Sequence, residues 1–255
     1  MRNIEDYTNN YLIENFEDYQ VKYRKKKLVE ILEKYKPQNV LEIGCGMKPI
    51  FQDYRNENGG GVFYTIVEPS EYFYDNAAKL STSNNRIKCI CDCFGQNKAS
   101  VENLGNGFDF IICSSLLHEI EDMEQMIQDM VHCGNDKTIV HINVPNAYSM
   151  HRLLAQESGM ISDIHEFSKR NNQFQQGRVF DLKLLKETVI KNGLDVIEDG
   201  SYFVKPFSHS QMSELLKNRI IDEKVLDGFY NISTWMPEYG SEIFVNCKVN
   251  CRNAI

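Results

Sequence analysis

The chain alternates between helix-like and strand-like hydrophobic patterns along its length. In the first segment, up to about Tyr35, an apolar stripe of Leu28, Ile31 and Leu32 recurs at helical spacing, and residues 24–27 lie on the polar side. Short apolar runs follow at 40–43, 63–67, 87–91, 108–113 and 138–142, and they predict five β-strands. These runs are apolar on both faces, as in a parallel sheet that helices cover on both sides. The alternation predicts an α/β protein built from βαβ units.

The last hundred residues continue this pattern. Apolar positions predict helices around 182–189 and 212–216, a sixth strand formed by Val196 with residues 201–204, and a seventh strand over 243–249. The stretch from Asn143 to Val179 is longer than a plain crossover between strands, so we expect a substrate-facing insertion there.

Composition and charge narrow the classes of function. The 255 residues carry a net charge of −8, which disfavours nucleic acid as a partner because binding it depends on neutralising phosphates. No apolar run approaches the roughly 18 residues of a membrane helix, and the acidic, polar amino terminus does not resemble a signal peptide. We therefore expect a cytoplasmic protein without membrane partners.

The expected compartment also determines how the eight cysteines are interpreted. In a reducing compartment they are predicted to be free thiols, several of them inside apolar runs. Cys89, Cys91 and Cys93 alternate along one strand face, where buried thiols are a simpler interpretation than a zinc site, so no metal is predicted.

Polar residues follow several of the predicted strands where each one ends, which is where open α/β sheets bind ligands. The first strand runs into Glu42-Ile43-Gly44-Cys45-Gly46, and the two glycines allow a tight turn and a close approach of backbone to ligand. A dinucleotide-binding loop needs a third glycine where this chain has Pro49. The loop therefore favours a ligand without a pyrophosphate over NAD or FAD.

The second and third strands end at carboxylates. Glu68 is placed to accept hydrogen bonds from both hydroxyls of a ribose, although an exposed loop position is the alternative. Asp92 is predicted to accept the amino group of an adenine with Phe94 against the ring, and capping of a helix is the alternative for Asp92.

The segments after strands four and five contain the candidates for chemistry. Ser114-Ser115-Leu116 is followed by His118, which is either a base or a polar wall residue. Beyond strand five, a second set of polar residues is predicted to face the substrate or to form a capped helix start, with Asn146 as the cap. Its members are Asn143, Asn146, Tyr148, His151 and Arg152. Arg152, Arg178 and Lys205 suit an anionic substrate.

Together, the order and spacing of these signals resemble the class I methyltransferases that depend on S-adenosylmethionine (SAM), over residues 24–145. The resemblance implies a Rossmann-like sheet of seven strands in the order 3-2-1-4-5-7-6, with the seventh antiparallel. It places the methionine part of SAM beside Glu42, Gly44, Cys45 and Gly46. It further assigns the ribose to Glu68, the adenine to Asp92, Cys93 and Phe94, and the wall near the sulfonium to Ser114, Ser115 and Leu116.

The resemblance also predicts how the chain is divided. We expect a single methyltransferase domain over 1–255, with amino-terminal helices at 1–36, a SAM-binding half at 37–145, and the insertion and remaining sheet at 146–255. The product would be S-adenosylhomocysteine (SAH). The catalytic candidates are His118, His151 and Tyr148, and the substrate candidates are Asn143, Asn146, Arg152, Arg178 and Lys205.

The second half resembles methyltransferases of bacterial surface-polysaccharide gene clusters, including those for O-methyl phosphoramidate. The strings that carry this resemblance are 144–155, 205–207 and 241–244. It implies O-methylation of a small anionic or nucleotide-activated acceptor, although an amine acceptor stays open, and a homodimer is expected. The alternatives are a NAD-dependent oxidoreductase, a non-catalytic SAM-binding partner protein and an RNA methyltransferase, and the charge balance disfavours the last.

Overall fold

A computed structural model describes residues 3–12, 16–54 and 61–250, without the side chains of 169 and 170. Cys251, one of the predicted thiols, lies outside the described residues. Among the helices of the described ranges, none combines the length and the apolar character that crossing a membrane requires.

Seven strands form one sheet in the order β3-β2-β1-β4-β5-β7-β6, which confirms the predicted order. The first five strands are parallel, and β7 pairs antiparallel with both β5 and β6. The strands are β1 (Asn39–Ile43), β2 (Phe63–Val67), β3 (Ile87–Ile90), β4 (Phe110–Ser114), β5 (Ile139–Pro145), β6 (Leu194–Tyr202) and β7 (Glu242–Val249).

The sixth strand differs from its prediction. Val196 and Ser201 belong to one continuous strand that ends at Tyr202, so Phe203 and Val204 lie beyond it. The register of β6 against β7 shifts between Val196 and Glu198. Such a bulge interrupts the alternation of side chains, and this interruption split the hydrophobic pattern in the sequence.

Ten α-helices are assigned within the described ranges. They are α1 (Ile4–Leu12), α2 (Glu17–Tyr35), α3 (Glu71–Ser81), α4 (Val101–Leu104), α5 (Met123–Cys133), α6 (Met150–Glu157), α7 (Lys169–Gln173), α8 (Leu182–Lys191), α9 (His209–Lys217) and α10 (Glu223–Asn231). Side chains such as Ser70, Asp122 and Asp181 cap helices by accepting a hydrogen bond from the first turn. Both α6 and α7 lie in the long segment that separates β5 from α8.

The sheet separates two apolar clusters. Leu41 and Ile43 belong to one cluster, together with Val140 and Leu185. Val40, which directly precedes Leu41 and faces the other side of the sheet, belongs to the other cluster with residues of α2 such as Leu28, Ile31 and Leu32. This is the result of period-two alternation in a strand that is covered on both faces.

A buried ion pair fixes α2 against the sheet. The Arg24 Nε donates to both carboxylate oxygens of Glu242, at 3.1 and 3.0 Å, and Nη2 donates to Glu242 Oε1 at 2.6 Å and to Glu17 Oε1 at 3.2 Å. The Glu242 carboxylate also accepts from Gln20, from Asn143 and from the Tyr202 hydroxyl. Burial penalises both charges, yet the pair holds the pKa of Arg24 well above its usual range and that of Glu242 below.

Loss of the Arg24 guanidinium is expected to be costly because Glu242 and Glu17 would be left as buried, uncompensated carboxylates. We predict that Arg24→Met lowers the free energy of unfolding by about 3–5 kcal/mol, measured by urea denaturation. The control is Lys22→Met on the same helix, whose ion pair with Glu223 is exposed and is expected to contribute less than about 1 kcal/mol. Equal losses in the two variants would contradict a structural role for the buried pair.

Candidate active site

A large cavity lies at the carboxyl ends of β1, β2 and β4 and continues past the end of β5. Its volume is about 1550 Å³, whereas pockets for single drug-sized ligands measure about 300–1000 Å³. Its walls come from both halves of the sheet, from α1, α2 and α6, and from the segment before α9. The cavity is therefore large enough to hold a cofactor and a second molecule at once.

The turn after β1 forms one wall of this cavity. Gly44 and Gly46 both have left-handed backbone conformations, with φ of +74° and +55°. A Cβ atom at Gly44 would lie only 3.1 Å from Leu116 Cδ2, so the turn requires glycine for both its conformation and its close packing on the segment after β4. Cys45 lines the cavity between them.

Glu68 is fixed in the cavity wall by backbone amides. Its Oε2 accepts from the amide of Gly46 at 3.0 Å and its Oε1 accepts from that of Ser70 at 3.0 Å. The residue is only 5% exposed, which excludes the alternative of an exposed loop carboxylate. A buried carboxylate fixed in this way in a cavity wall is the kind of acceptor that the hydroxyls of a ribose use.

Glu42 binds the backbone of the segment that follows the glycine turn. Both of its carboxylate oxygens lie 3.1 Å from the amide of Ile50, at the start of a short 3₁₀ helix over Ile50–Gln52. Burial raises the pKa of Glu42 to about 8. The side chain also lines the cavity, so its charge is sensitive to what occupies that space.

The segment after β3 contributes only part of what was predicted. Cys93 and Phe94 line the cavity, but Asp92 does not. The Asp92 carboxylate turns into its own loop, where it accepts from the amides of Cys93 and Lys98, both at 2.9 Å. The prediction that Asp92 contacts adenine is therefore corrected: its carboxylate caps the loop backbone, which is close to the alternative considered for it.

The segments after β4 and β5 place the catalytic candidates differently. Ser114, Ser115 and Leu116 line the cavity, as do His118 and His151. His118 is 2% exposed, and its Nε2 lies 3.0 Å from the side-chain nitrogen of Gln176.

Tyr148 is corrected as a catalytic candidate, because it lies outside the cavity. The residue is 46% exposed, and its ring packs edge-on against the exposed side chain of His165. The structure therefore places Tyr148 on the surface and not in the cavity wall.

Two of the predicted substrate residues have structural roles. Asn143 is fully buried, lies outside the cavity and donates to Glu242 Oε2 at 2.7 Å. Asn146 does line the cavity, but its amide nitrogen donates to the carbonyls of Glu238 and Gly240, both at 2.9 Å, and its oxygen accepts from the amide of Tyr148. Asn146 therefore stabilises a turn, and the cap of α6 is Ser149 rather than Asn146.

The three predicted anion ligands are also separated. Arg152 lines the cavity, but its Nε and Nη2 donate to the carbonyls of Ile164 and Glu166, at 2.8 and 2.6 Å. Arg178 borders a separate surface depression. Lys205 is buried in the cavity wall, where its ammonium donates to the carbonyl of Phe207 at 3.1 Å. The structure thus does not bring these cations together as one anion site.

Several cavity residues were absent from the sequence-based prediction. They come mainly from the first two helices and from α9, and they include Tyr7, Tyr11, Glu17, Gln20, Arg24 and His209. On α2, positions 17, 20 and 24 share one helical face, which in the sequence is indistinguishable from a solvated polar face. This face becomes part of the cavity wall because it packs against Glu242, which lies more than 200 residues later in the sequence.

The unusual pKa of Glu42 predicts a pH-dependent stability. A carboxyl with a raised pKa binds its proton more tightly in the folded state, so the unfolding free energy falls as pH rises from about 4.5 to about 8. We predict that the unfolding free energy of Glu42→Gln minus that of the wild type is at least about 1 kcal/mol larger at pH 8 than at pH 5. Denaturation of the ligand-free proteins at the two pH values measures this difference. The exposed Glu33→Gln is the control, and a gain that does not depend on pH would contradict a buried, protonated Glu42.

Comparisons with known proteins agree with this geometry. Curated protein sequences give no match. The solved structure of the plantazolicin methyltransferase BamL, in complex with an analogue of desmethyl-plantazolicin and SAH, is 16% identical, with 97% of each chain covered and a TM-score of 0.57. A SAM-dependent methyltransferase from Clostridium acetobutylicum is 10% identical, covering 90% of this chain and 92% of its own, with a TM-score of 0.56. The [4+2]-cyclase SpnF is 12% identical, covering 88% and 80%, with a TM-score of 0.55.

At these identities the solved structures establish the fold, and a family model establishes the class. The model of a methyltransferase domain matches residues 16–199, which is more than two thirds of the chain. The matched range includes the glycine turn, Glu68 and the segment after β4, which line the cavity at the ends of β1, β2 and β4. The protein therefore belongs to the methyltransferase domain family, with SAM as its cofactor.

Proposed function

We propose that this methyltransferase transfers the methyl group of SAM to a hydroxyl oxygen of a small acceptor that shares the cavity with the cofactor. The observation that carries the proposal is the continuity of this cavity. It runs from Gly44 and Glu68, beyond β1 and β2, to His118 and His151, beyond β4 and β5. Both molecules can then be held together, which is the main requirement for an in-line transfer.

The cofactor side follows from the described contacts. When bound, SAM supplies a methyl group that its sulfonium makes electrophilic. The proposal places its methionine part at the turn of Gly44 to Gly46, the ribose hydroxyls on Glu68 and the adenine beside Cys93 and Phe94. Support comes from the buried, preoriented Glu68 carboxylate and from the left-handed turn that Gly44 and Gly46 form in the cavity wall.

For the acceptor side, we propose His151 as the general base. It lines the cavity from the first turn of α6 and is partly exposed to it. The acceptor oxygen forms its bond to the methyl carbon as the carbon–sulfur bond breaks, and the hydroxyl proton passes to the imidazole. His118 is the less suitable base because it is only 2% exposed, whereas His151 is partly exposed. It would instead shape the wall.

For the identity of the acceptor, we propose a sugar or phosphoramidate of capsule biosynthesis, used in the cytoplasm. This proposal rests on the sequence strings 144–155, 205–207 and 241–244 alone. Lys205 is the residue in the cavity wall that would serve an anionic group. The alternative of a SAM-binding protein without methyl transfer has one specific support: the similar fold of SpnF, which is named as a cyclase. Release of SAH in the presence of an acceptor separates the two proposals.

The ribose assignment predicts that Glu68→Ala weakens the binding of both SAM and SAH more than tenfold, because two charge-assisted hydrogen bonds are lost. Isothermal titration calorimetry measures both affinities directly. Glu71→Ala, an exposed carboxylate in the first turn of the following helix, is the matched control and should retain wild-type affinity. Unchanged affinity in Glu68→Ala would remove Glu68 from the cofactor site.

The base assignment predicts that His151→Ala lowers turnover by about 10²-fold or more while the affinity for SAH changes less than twofold. Turnover is followed as SAH release with the first acceptor found among nucleotide-linked and phosphorylated glycan precursors. The exposed His132→Ala serves as the control. If His151→Ala turned over at the wild-type rate, neither a base nor an acceptor-binding role would remain for His151.

A further inference from the structure

The cavity has a polar wall that contains none of the predicted substrate residues. It consists of Glu17, Gln20 and Arg24 on α2, with Ser241 and Glu242 at the start of β7, and we refer to it as the α2 wall. Glu17, Gln20 and Glu242 are each less than 10% exposed. These groups are therefore parts of an interior surface and not of a solvated helix face.

The cation of the α2 wall is already engaged. The Arg24 guanidinium donates to both oxygens of Glu242 and to Glu17, so its charge is matched to carboxylates within the wall. A hydrogen-bond donor or a cation is therefore favoured over an anion beside these carboxylates.

The hydrogen bonds of Gln20 characterise the α2 wall independently of its charges. Its side-chain nitrogen donates to Ser241 Oγ and to Glu242 Oε1, both at 2.9 Å. This fixes the orientation of the amide, because the reverse orientation would set its oxygen against the carboxylate of Glu242. The Gln20 Oε1 is consequently left as a buried acceptor with no donor among the described residues. A buried acceptor without a donor is unfavourable, so a ligand that supplies a donor is favoured there.

Large, exposed apolar side chains also line the same cavity. Leu154, Met160 and Phe207 line it, and their exposed fractions are 43%, 73% and 42%. Large apolar side chains that stay exposed around a cavity indicate contact with an apolar part of a ligand. The cavity thus combines an acceptor-rich wall with exposed apolar side chains.

We infer that the methyl acceptor is an amphiphilic molecule. Its head is a hydrogen-bond donor, either a hydroxyl or a protonated amine, that Gln20 and the α2 wall hold for recognition, while the methyl group passes to a hydroxyl oxygen of the same molecule. Its apolar body lies across Leu154, Met160 and Phe207. The inference rests on the proposed function, because it describes the acceptor of that same site. It differs from the anionic acceptor that the sequence predicts, for which Lys205 would be the principal ligand.

The test uses three six-carbon probes that differ only in the head group: hexylamine, 1-hexanol and hexanoate. Each is titrated at pH 7.5 into the full chain saturated with SAH. We expect hexylamine or hexanol to bind at least tenfold more tightly than hexanoate. Tighter binding of hexanoate, or no binding of any probe, overturns the inference. A protein that fails to bind SAH refutes the proposed function instead, so the two failures are distinguishable.

Variants locate the two ends of the acceptor. Gln20→Met should weaken the donor probe at least tenfold and leave the affinity for SAH unchanged, whereas the exposed Gln128→Met should change neither. Lengthening the probe from six to eight carbons should tighten binding by about twofold to fourfold per methylene in the wild type. Met160→Ser should reduce that gain, and the equally exposed Ile220→Ser, outside the cavity, should not. Wild-type behaviour of both Gln20→Met and Met160→Ser would overturn the inference.

Discussion

The ion pair between Arg24 and Glu242 connects parts of the chain that are 218 residues apart. Glu242 begins the strand that lies between β5 and β6, and its carboxylate receives donors from both neighbours, Asn143 and Tyr202. One carboxylate therefore joins three strands to α2. Because each of these groups is buried, a displaced helix would leave charges without partners, and the network favours a single position of α2 on the sheet. That position also determines which face of α2 reaches the cavity.

Much of the architecture was predictable from the sequence because its signals are local. Each buried parallel strand is a short apolar run, and the residue that lines the cavity follows it directly, as Gly44 and Glu68 do. The strand order followed from resemblance, and the pairing of all seven strands confirms it. Where a strand bulges, as β6 does after Val196, the local alternation is lost and the prediction was wrong in its bounds.

The differences between the predicted and the observed contacts of the site residues have a common physical origin. Asp92, Asn146 and Arg152 were chosen for their chemistry, yet each satisfies backbone groups of nearby loops or turns. A polar side chain at a strand end serves a ligand or the loop itself, and only the three-dimensional path of the loop separates the two uses. Conversely, Gln20 and Arg24 lie on a helix whose pattern resembles a solvated face, and their partner Glu242 is distant in sequence.

The long separation between Arg24 and Glu242 also bears on how the protein is made. A ribosome synthesises Arg24 218 residues before Glu242, so over that interval a nascent chain holds Arg24 and Glu17 without the carboxylate that completes their network. Contacts of such high sequence separation are slow to form, because closing the long intervening loop costs entropy. The cavity consequently cannot reach its final shape before β7 has been inserted between β5 and β6. Any fragment that ends before β7 would expose an unfinished pocket with a polar wall on one side and an open sheet edge on the other.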